Sequence, residues 1–266
     1  MKNPYLQLSK ELNRGRLRAV LSSGQAVVLY RLAIMSKDGD WILREDSETM
    51  DHVLKVLVGR NSHYRFGAPL DLRWLSHGWS SHFEHREMGL RLRTDFITRP
   101  PRISGSELQG IWKSAAALDP PVVPLQQLAD IKKTNREKDY AVIGELARLM
   151  PDSRSRFLYS RSARDLLRLA QSKPELVAEM IPRRDALTKI AEGREGLERA
   201  LDQERRALMR TNEERLVEYR DAARQWAARW PVVHRQIEEL PLLQAHRLVV
   251  SSAEGVLPFK VRGEGT

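Results

Sequence analysis

The sequence contains no cysteine. Disulfides and thiolate metal sites are therefore excluded, and the absence fits a reducing compartment. Long apolar runs are missing too. A membrane-spanning helix needs roughly 18 uninterrupted apolar residues, and Arg31 breaks the best candidate, "QAVVLYRLAIM". The N-terminal "MKNPYLQLSKELNRGR" lacks the apolar core of a secretory signal. These absences lead to the expectation of a cytoplasmic protein with no membrane partner. Internal repeats and low-complexity tracts are also lacking.

What is present is enough for a full core. The chain has 266 residues and an apolar share of 41%, sufficient for one large or two smaller domains. Its formal charge is +10. A basic surface attracts polyanions such as nucleic acid, nucleotides or acidic membrane. An arginine-rich but unspecialised surface is the alternative, because 30% of residues are charged and both signs are interspersed.

Residues 1–150 read as mixed α/β. "LRAVLSS" is a short apolar run compatible with strand or helix, "QAVVLYRLAIM" fits a buried helix, and "DWILRED" alternates like a strand. "SETMDHVLKVLVGR" predicts a helix capped by Ser47. "SSHFEHRE" and "GLRLRTDFITR" predict two strands joined by a Met88-Gly89 turn, with Pro100-Pro101 closing the second. Helices are expected over "SGSELQGIWKSAAA", "LQQLADIKKT" and "EKDYAVIGELARLM". Pro151 marks a change, and from about Ser162 to Trp230 the pattern is helical and highly charged. Leu197, Leu201, Leu208, Tyr219, Ala223, Trp226 and Trp230 recur at helical steps, predicting a long amphipathic helix or hairpin. That region, 151–240, packs against the first domain or binds a partner protein. Pro231 and Pro241 are expected to close it, leaving a tail, 241–266, with one short strand.

Chemistry concentrates between Ser22 and Asp40. Asp38 and Asp40 are separated by one residue, and on a strand such residues share a face. Paired carboxylates repel unless a cation lies between them, and hard divalent ions prefer oxygen ligands. Asp-Gly is also a common turn signal, so a plain turn is the competing account. Ser22-Ser23-Gly24 precedes the helix-like run, and helix N-terminal amides favour anions where glycine lets a phosphate approach. Asp95 lies within the apolar strand pattern "LRLRTDFIT". There it needs either a cation or an exposed sheet edge.

These residues resemble the nucleotidyltransferase superfamily of the DNA polymerase β type, and within it small bacterial AbiEii-toxin-like relatives. The resemblance rests on "SSGQA" (Ser22 to Ala26), "SKDGD" (Ser36 to Asp40), Asp95 and "KKTNREKD" (Lys132 to Asp139). It spans about residues 15–150, not the helical C-terminal part. It implies an α/β (α+β) domain with a mixed sheet. It also implies Mg²⁺ or Mn²⁺ held by Asp38, Asp40 and Asp95, and transfer from a nucleoside triphosphate to a hydroxyl on RNA, protein or a small molecule. Ser23 and Gly24 would contact the phosphates, and Lys132, Lys133, Arg136 and Lys138 would be basic contacts. Ser23 and Gly39 depart from the family pattern. The alternative role is a degenerate binding module, such as a toxin–antitoxin component or a basic nucleic-acid-binding protein.

His63, His77, His82 and His85 gather with Trp74 and Trp79. His82 and His85 lack the i, i+2 spacing of strand ligands, which argues against zinc. This stretch either packs its tryptophans or flanks a cleft with Arg65 and Arg73. Arg99 and Arg102 form a candidate phosphate patch. No Ser-His-Asp arrangement can be read from the sequence.

Overall fold

The structure, a computed structural model, describes residues 3–87 and 89–261. Met88 and residues 262–266 therefore lie outside the described residues, while Gly89 carries the positive φ of the expected turn, +76°. The elements run α1 (Pro4–Leu12), β1 (Ala19–Ser22), α2 (Ser23–Leu29), β2 (Asp38–Leu43), α3 (Ser47–Gly59), β3 (His63–Gly67), α4 (Leu72–Leu75), β4 (Ser81–Glu87), β5 (Leu90–Ile97) and α5 (Gly105–Ala115). Then come α6 (Leu125–Ile131), α7 (Glu137–Leu149), α8 (Ser153–Tyr159), α9 (Ala163–Ser172), α10 (Pro174–Met180), two 3₁₀ segments, α11 (Gly193–Ala222), α12 (Arg224–Ile237) and α13 (Leu242–Ala253). No helix among the described residues is long and apolar enough to cross a membrane.

The chain divides into two compact units, one of residues 1–123 with 217–266 and one of residues 124–216. Pro151, the expected boundary, falls inside the second unit.

The first unit is built on a five-stranded mixed sheet of order β1-β2-β5-β4-β3. Only β2 and β5 run parallel; the other neighbours are antiparallel. Strand alternation sends Trp41 and Leu43 of β2, Leu92 and Phe96 of β5 and Phe83 of β4 into one core. Tyr5, Leu8 and Leu12 of α1 and Val53 and Leu57 of α3 join them. Trp41, Phe83 and Phe96 are fully buried, each worth at most about 4–6 kcal/mol of water exclusion. Asp38, Asp40, Arg93 and Asp95 occupy the alternate positions and are only half-buried.

Several expectations need correcting. The helix over "QAVVLYRLAIM" stops at Leu29. Arg31 adopts φ +60°, Leu32 N–H donates to Val27 O and Arg31 N–H to Val28 O, a Schellman closure without glycine. Ile34 and Met35 are left exposed. Asp46, not Ser47, caps α3, its side chain accepting from Thr49 N–H. Pro231 lies inside α12, which continues to Ile237. Trp230 and Val233 anchor both sides of the proline in the core, which offsets the missing N–H. The tail forms a helix instead of a strand. Leu242, Ala245, Val249 and Ala253 recur at three- and four-residue steps and bury together. Three elements, α1, β3 and the short α4, had no sequence counterpart. The apolar faces of α12 and α13 are filled by the first unit's own core, through Trp226, Trp230, Val233 and Ile237.

The second unit is helical. Phe157, Leu166, Met180, Leu187, Leu197 and Leu201 form its core. Glu204 joins the side chains of Arg161 and Arg184, and Arg184 also donates to Phe157 O at 2.6 Å. Burial acts to raise the Glu204 pKa, but the two guanidiniums outweigh it and hold the carboxyl below its usual range.

Candidate functional site

Parallel pairing sets Asp40 directly opposite Asp95, with Asp38 opposite Arg93. Neighbouring strands lie about 4.8 Å apart, so Asp40 and Asp95 are side by side, with Asp38 one pleat along on the same face. The Tyr5 hydroxyl donates to Lys37 O at 2.7 Å. Its pKa is raised, by burial first and then by the negative charge of Asp38, Asp40 and Asp95 together. The three expected carboxylates thus share one face of the sheet, within electrostatic reach of this hydroxyl.

Asp95 and Asp38 have basic neighbours. Arg65 Nη2 lies 3.1 Å from Asp95 Oδ1 and His82 Nδ1 lies 2.8 Å from the same oxygen. Arg93 Nη1 is a looser 3.8 Å from Asp38 Oδ1. Among the described residues no three His, Asp or Glu side chains surround a common point. The donor chemistry nevertheless suits a divalent cation at Asp38 and Asp40. Asp38 Oδ1 is buried without a hydrogen-bond partner, the kind of group a hard cation satisfies. Asp95 fits a cation only if Arg65 gives way.

The rung through Asp40 and Asp95 extends sideways. Ser22 of β1 lies opposite Asp40, and His82 of β4 lies opposite Asp95. Just before β4, Ser80 Oγ lies 2.9 Å from His82 Nε2. Ser80, His82 and Asp95 therefore form a chain that the sequence did not disclose. The i, i+2 spacing of Ser80 and His82 was visible, but the pairing with Asp95 comes only from register.

The turn before α2 is tight. Ser23 adopts φ +48°, left-handed backbone that favours glycine, so the serine sits there under strain. At Gly24 an added Cβ would lie 2.2 Å from Ser36 Oγ, so only glycine lets the Ser36 loop close over this turn. Gly39 has a packing reason of its own. A Cβ there would lie 2.5 Å from both the Tyr5 and Trp41 rings.

The basic residues of "KKTNREKD" belong to the second unit. Lys132 Nζ lies 3.4 Å and Arg136 Nη2 2.8 Å from the Asp139 carboxylate, and Lys133 Nζ lies 2.5 Å from Asp130. Thr134 Oγ1 also donates to Asp139 at 2.6 Å. Burial pushes the Asp139 pKa up, but Thr134, Lys132 and Arg136 prevail and lower it. Lys132, Lys133 and Arg136 thus organise the α6–α7 turn, while Lys138 is exposed.

The remaining candidates separate. His82 lines the half-buried face, whereas His85, three residues on, points into the opposite, buried one. Trp74 and Trp79 are core residues whose indole N–H groups donate to Leu257 O and Pro258 O, both at 3.0 Å. Arg65 reaches the site. Arg73 instead pairs with Asp71 and Glu254, and Arg99 with Glu45. Arg102 sits at φ +65° in the turn after β5.

No known protein family and no curated protein matches the chain. Two solved structures from Helicobacter pylori are similar to it. A candidate nucleotidyltransferase shares 11% identity at a TM-score of 0.39, covering 79% of this chain and 95% of its own. The protein JHP933 also shares 11% identity at a TM-score of 0.39, covering 80% of this chain and 92% of its own. At that identity and score, the chemistry of the site has to be read from its own residues.

Proposed function

We propose that the chain is a metal-dependent nucleotidyltransferase, moving a nucleotidyl group from a nucleoside triphosphate to a hydroxyl of an RNA, protein or small-molecule acceptor. The observation that carries this reading is the β2–β5 register, with Asp40 beside Asp95 and Asp38 on the same face. Mg²⁺ or Mn²⁺ would be held by Asp38 and Asp40, with Asp95 as the third carboxylate. When bound, it would supply charge neutralisation for the triphosphate. Ser23 and Gly24 bring backbone close to the same sheet end, where a phosphate could approach. Of the basic candidates, Lys138 is exposed and suited to nucleotide or RNA phosphate, while Lys132, Lys133 and Arg136 would first have to exchange their partners Asp139 and Asp130.

A second reading is a degenerate binding module of the same fold, such as a toxin–antitoxin component or a basic nucleic-acid-binding protein. The Arg65–Asp95 ion pair favours it, because a resident guanidinium occupies a carboxylate the reaction needs.

Asp40→Asn separates the two. Wild type and variant are incubated with each α-labelled nucleoside triphosphate, Mg²⁺ or Mn²⁺, and total cellular RNA and protein. Transfer by wild type that falls by orders of magnitude in Asp40→Asn supports the enzyme. No transfer by either, with no metal-dependent nucleotide binding, leaves the module.

A further inference from the structure

The Ser80–His82–Asp95 chain calls for a chemistry of its own. Ser80 Oγ lies 2.9 Å from His82 Nε2, and His82 Nδ1 lies 2.8 Å from Asp95 Oδ1. At that distance Nδ1 nevertheless makes no hydrogen bond in this structure. Such incomplete contacts are common before substrate binds. The imidazole has neighbours on three sides. Besides these two contacts it lies against Gly67, where an added Cβ would come within 2.4 Å of His82 Cδ2. Gly67 has φ +110°, and the Ser80 carbonyl accepts from Ala68 N–H at 2.9 Å, fixing the backbone beside the hydroxyl. Ser80 itself is half-buried, accessible to a small molecule. Arg65, 3.1 Å from Asp95, brings a guanidinium to the same place, and a planar guanidinium matches phosphate oxygens.

We propose that Ser80 is an activated nucleophile that attacks a phosphoric ester, with His82 as its base and Asp95 positioning the ring. This goes beyond the nucleotidyl-transfer reading and needs no metal. The Ser80 Oγ–P bond forms and the P–O bond to the leaving alcohol breaks. The Ser80 proton passes to His82 Nε2 and from there to the leaving oxygen. Nucleophile, base and orienting carboxylate within hydrogen-bond reach are the geometry such catalysis requires.

The test uses the full chain in excess EDTA with a fluorophosphonate, whose P–F bond breaks in place of P–O, releasing fluoride. Intact mass and peptide mapping should show one adduct per chain, on Ser80. Ser80→Ala should abolish it at an unchanged melting temperature. His82→Gln should slow labelling about 100-fold or more, the range of general-base catalysis. Asp95→Asn should slow it as well. No adduct, adducts scattered over other hydroxyls, or equal labelling rates in wild type and His82→Gln would each overturn the proposal. If His82→Gln melts lower than wild type, labelling of Ser80→Ala at the wild-type rate still decides against it.

Discussion

Arg65→Gln tests whether the carboxylate face is a cation site kept closed by its own guanidinium. Arg65 and Asp95 are 26% and 21% exposed and their charged atoms are 3.1 Å apart. A divalent ion sharing Asp95 Oδ1 at about 2 Å would sit within ~5 Å of the guanidinium. Repulsion between a double and a single positive charge at that separation is about 1.7 kcal/mol at water's dielectric constant and several-fold more in a protein-like medium. The lower figure is appropriate for a partly exposed, salt-screened pair. Removing the charge should then tighten Mg²⁺ or Mn²⁺ binding roughly tenfold or more. Glutamine keeps a donor for Asp95, so the cost in folding stability should stay below about 1 kcal/mol. Calorimetric titration with MnCl₂, repeated for wild type and variant at one ionic strength, measures the effect. Equal affinities would refute a cation site that includes Asp95, and no binding by either protein would refute the cation site altogether.

Three other outcomes are expected. Gly39→Ala places a methyl about 1 Å inside the contact distance of the Tyr5 and Trp41 rings. It should cost about 1–3 kcal/mol, seen as a melting temperature lower by several degrees; an unchanged melt would mean the rings move freely. Ser23→Gly should raise stability by about 0.5–1 kcal/mol by relieving left-handed backbone at φ +48°, and a loss measured by urea unfolding would mean the serine side chain makes up for the strain. His85 and His246 have pKa values lowered chiefly by burial. The folded state then binds fewer protons than the unfolded chain. Their contribution is complete above about pH 6.5 and is lost as pH falls below it. Urea midpoints should decline between pH 6.5 and 5.5, and a flat profile that His246→Phe leaves unchanged would contradict this.

The sequence carried the parts of the site that depend on local period. "DWILRED" and "LRLRTDFIT" alternate and so place Asp40 and Asp95 on strands, whereas Asp38 fits a strand or an Asp-Gly turn by sequence and opens β2 in the structure. Capping was less legible: Ser104 and Glu107 form a full capping box at α5, but the cap expected at Ser47 falls to Asp46. What failed depended on tertiary choice. The α2 end is set by Arg31 in a conformation sequence assigns to glycine. Pro231 reads as a stop, yet two buried residues hold the helix together across it. The strand β3 is short and interrupted by a shift between Tyr64 and Phe66, which erases its alternation. The unit boundary was hidden because residues 217–266 return to the first unit's core after a long helical excursion. No local pattern records such a return. Ser80 escaped notice for the same reason: its neighbour His82 meets Asp95, thirteen positions further on, by strand pairing alone.

Asp95 is the residue on which both proposed chemistries turn, and they make opposite demands on it. Metal-dependent transfer needs its oxygens turned toward Asp38 and Asp40, where a cation removes the repulsion of adjacent carboxylates. The serine chemistry needs the same oxygen against His82, where it steadies the ring and the positive charge that develops on it. Arg65 sides with the second arrangement, since its contact at 3.1 Å already neutralises the carboxylate that a cation would otherwise bind. One oxygen cannot serve a divalent ion, a guanidinium and an imidazole at full strength together. Cation binding should therefore weaken the His82 contact, and excess Mn²⁺ should slow fluorophosphonate labelling of Ser80 in the wild type. In Arg65→Gln, where the cation binds more tightly, the same slowing should occur at a lower Mn²⁺ concentration. If labelling is indifferent to Mn²⁺ in both proteins while calorimetry shows the ion bound, the ion is held by Asp38 and Asp40 alone, and Asp95 belongs to His82.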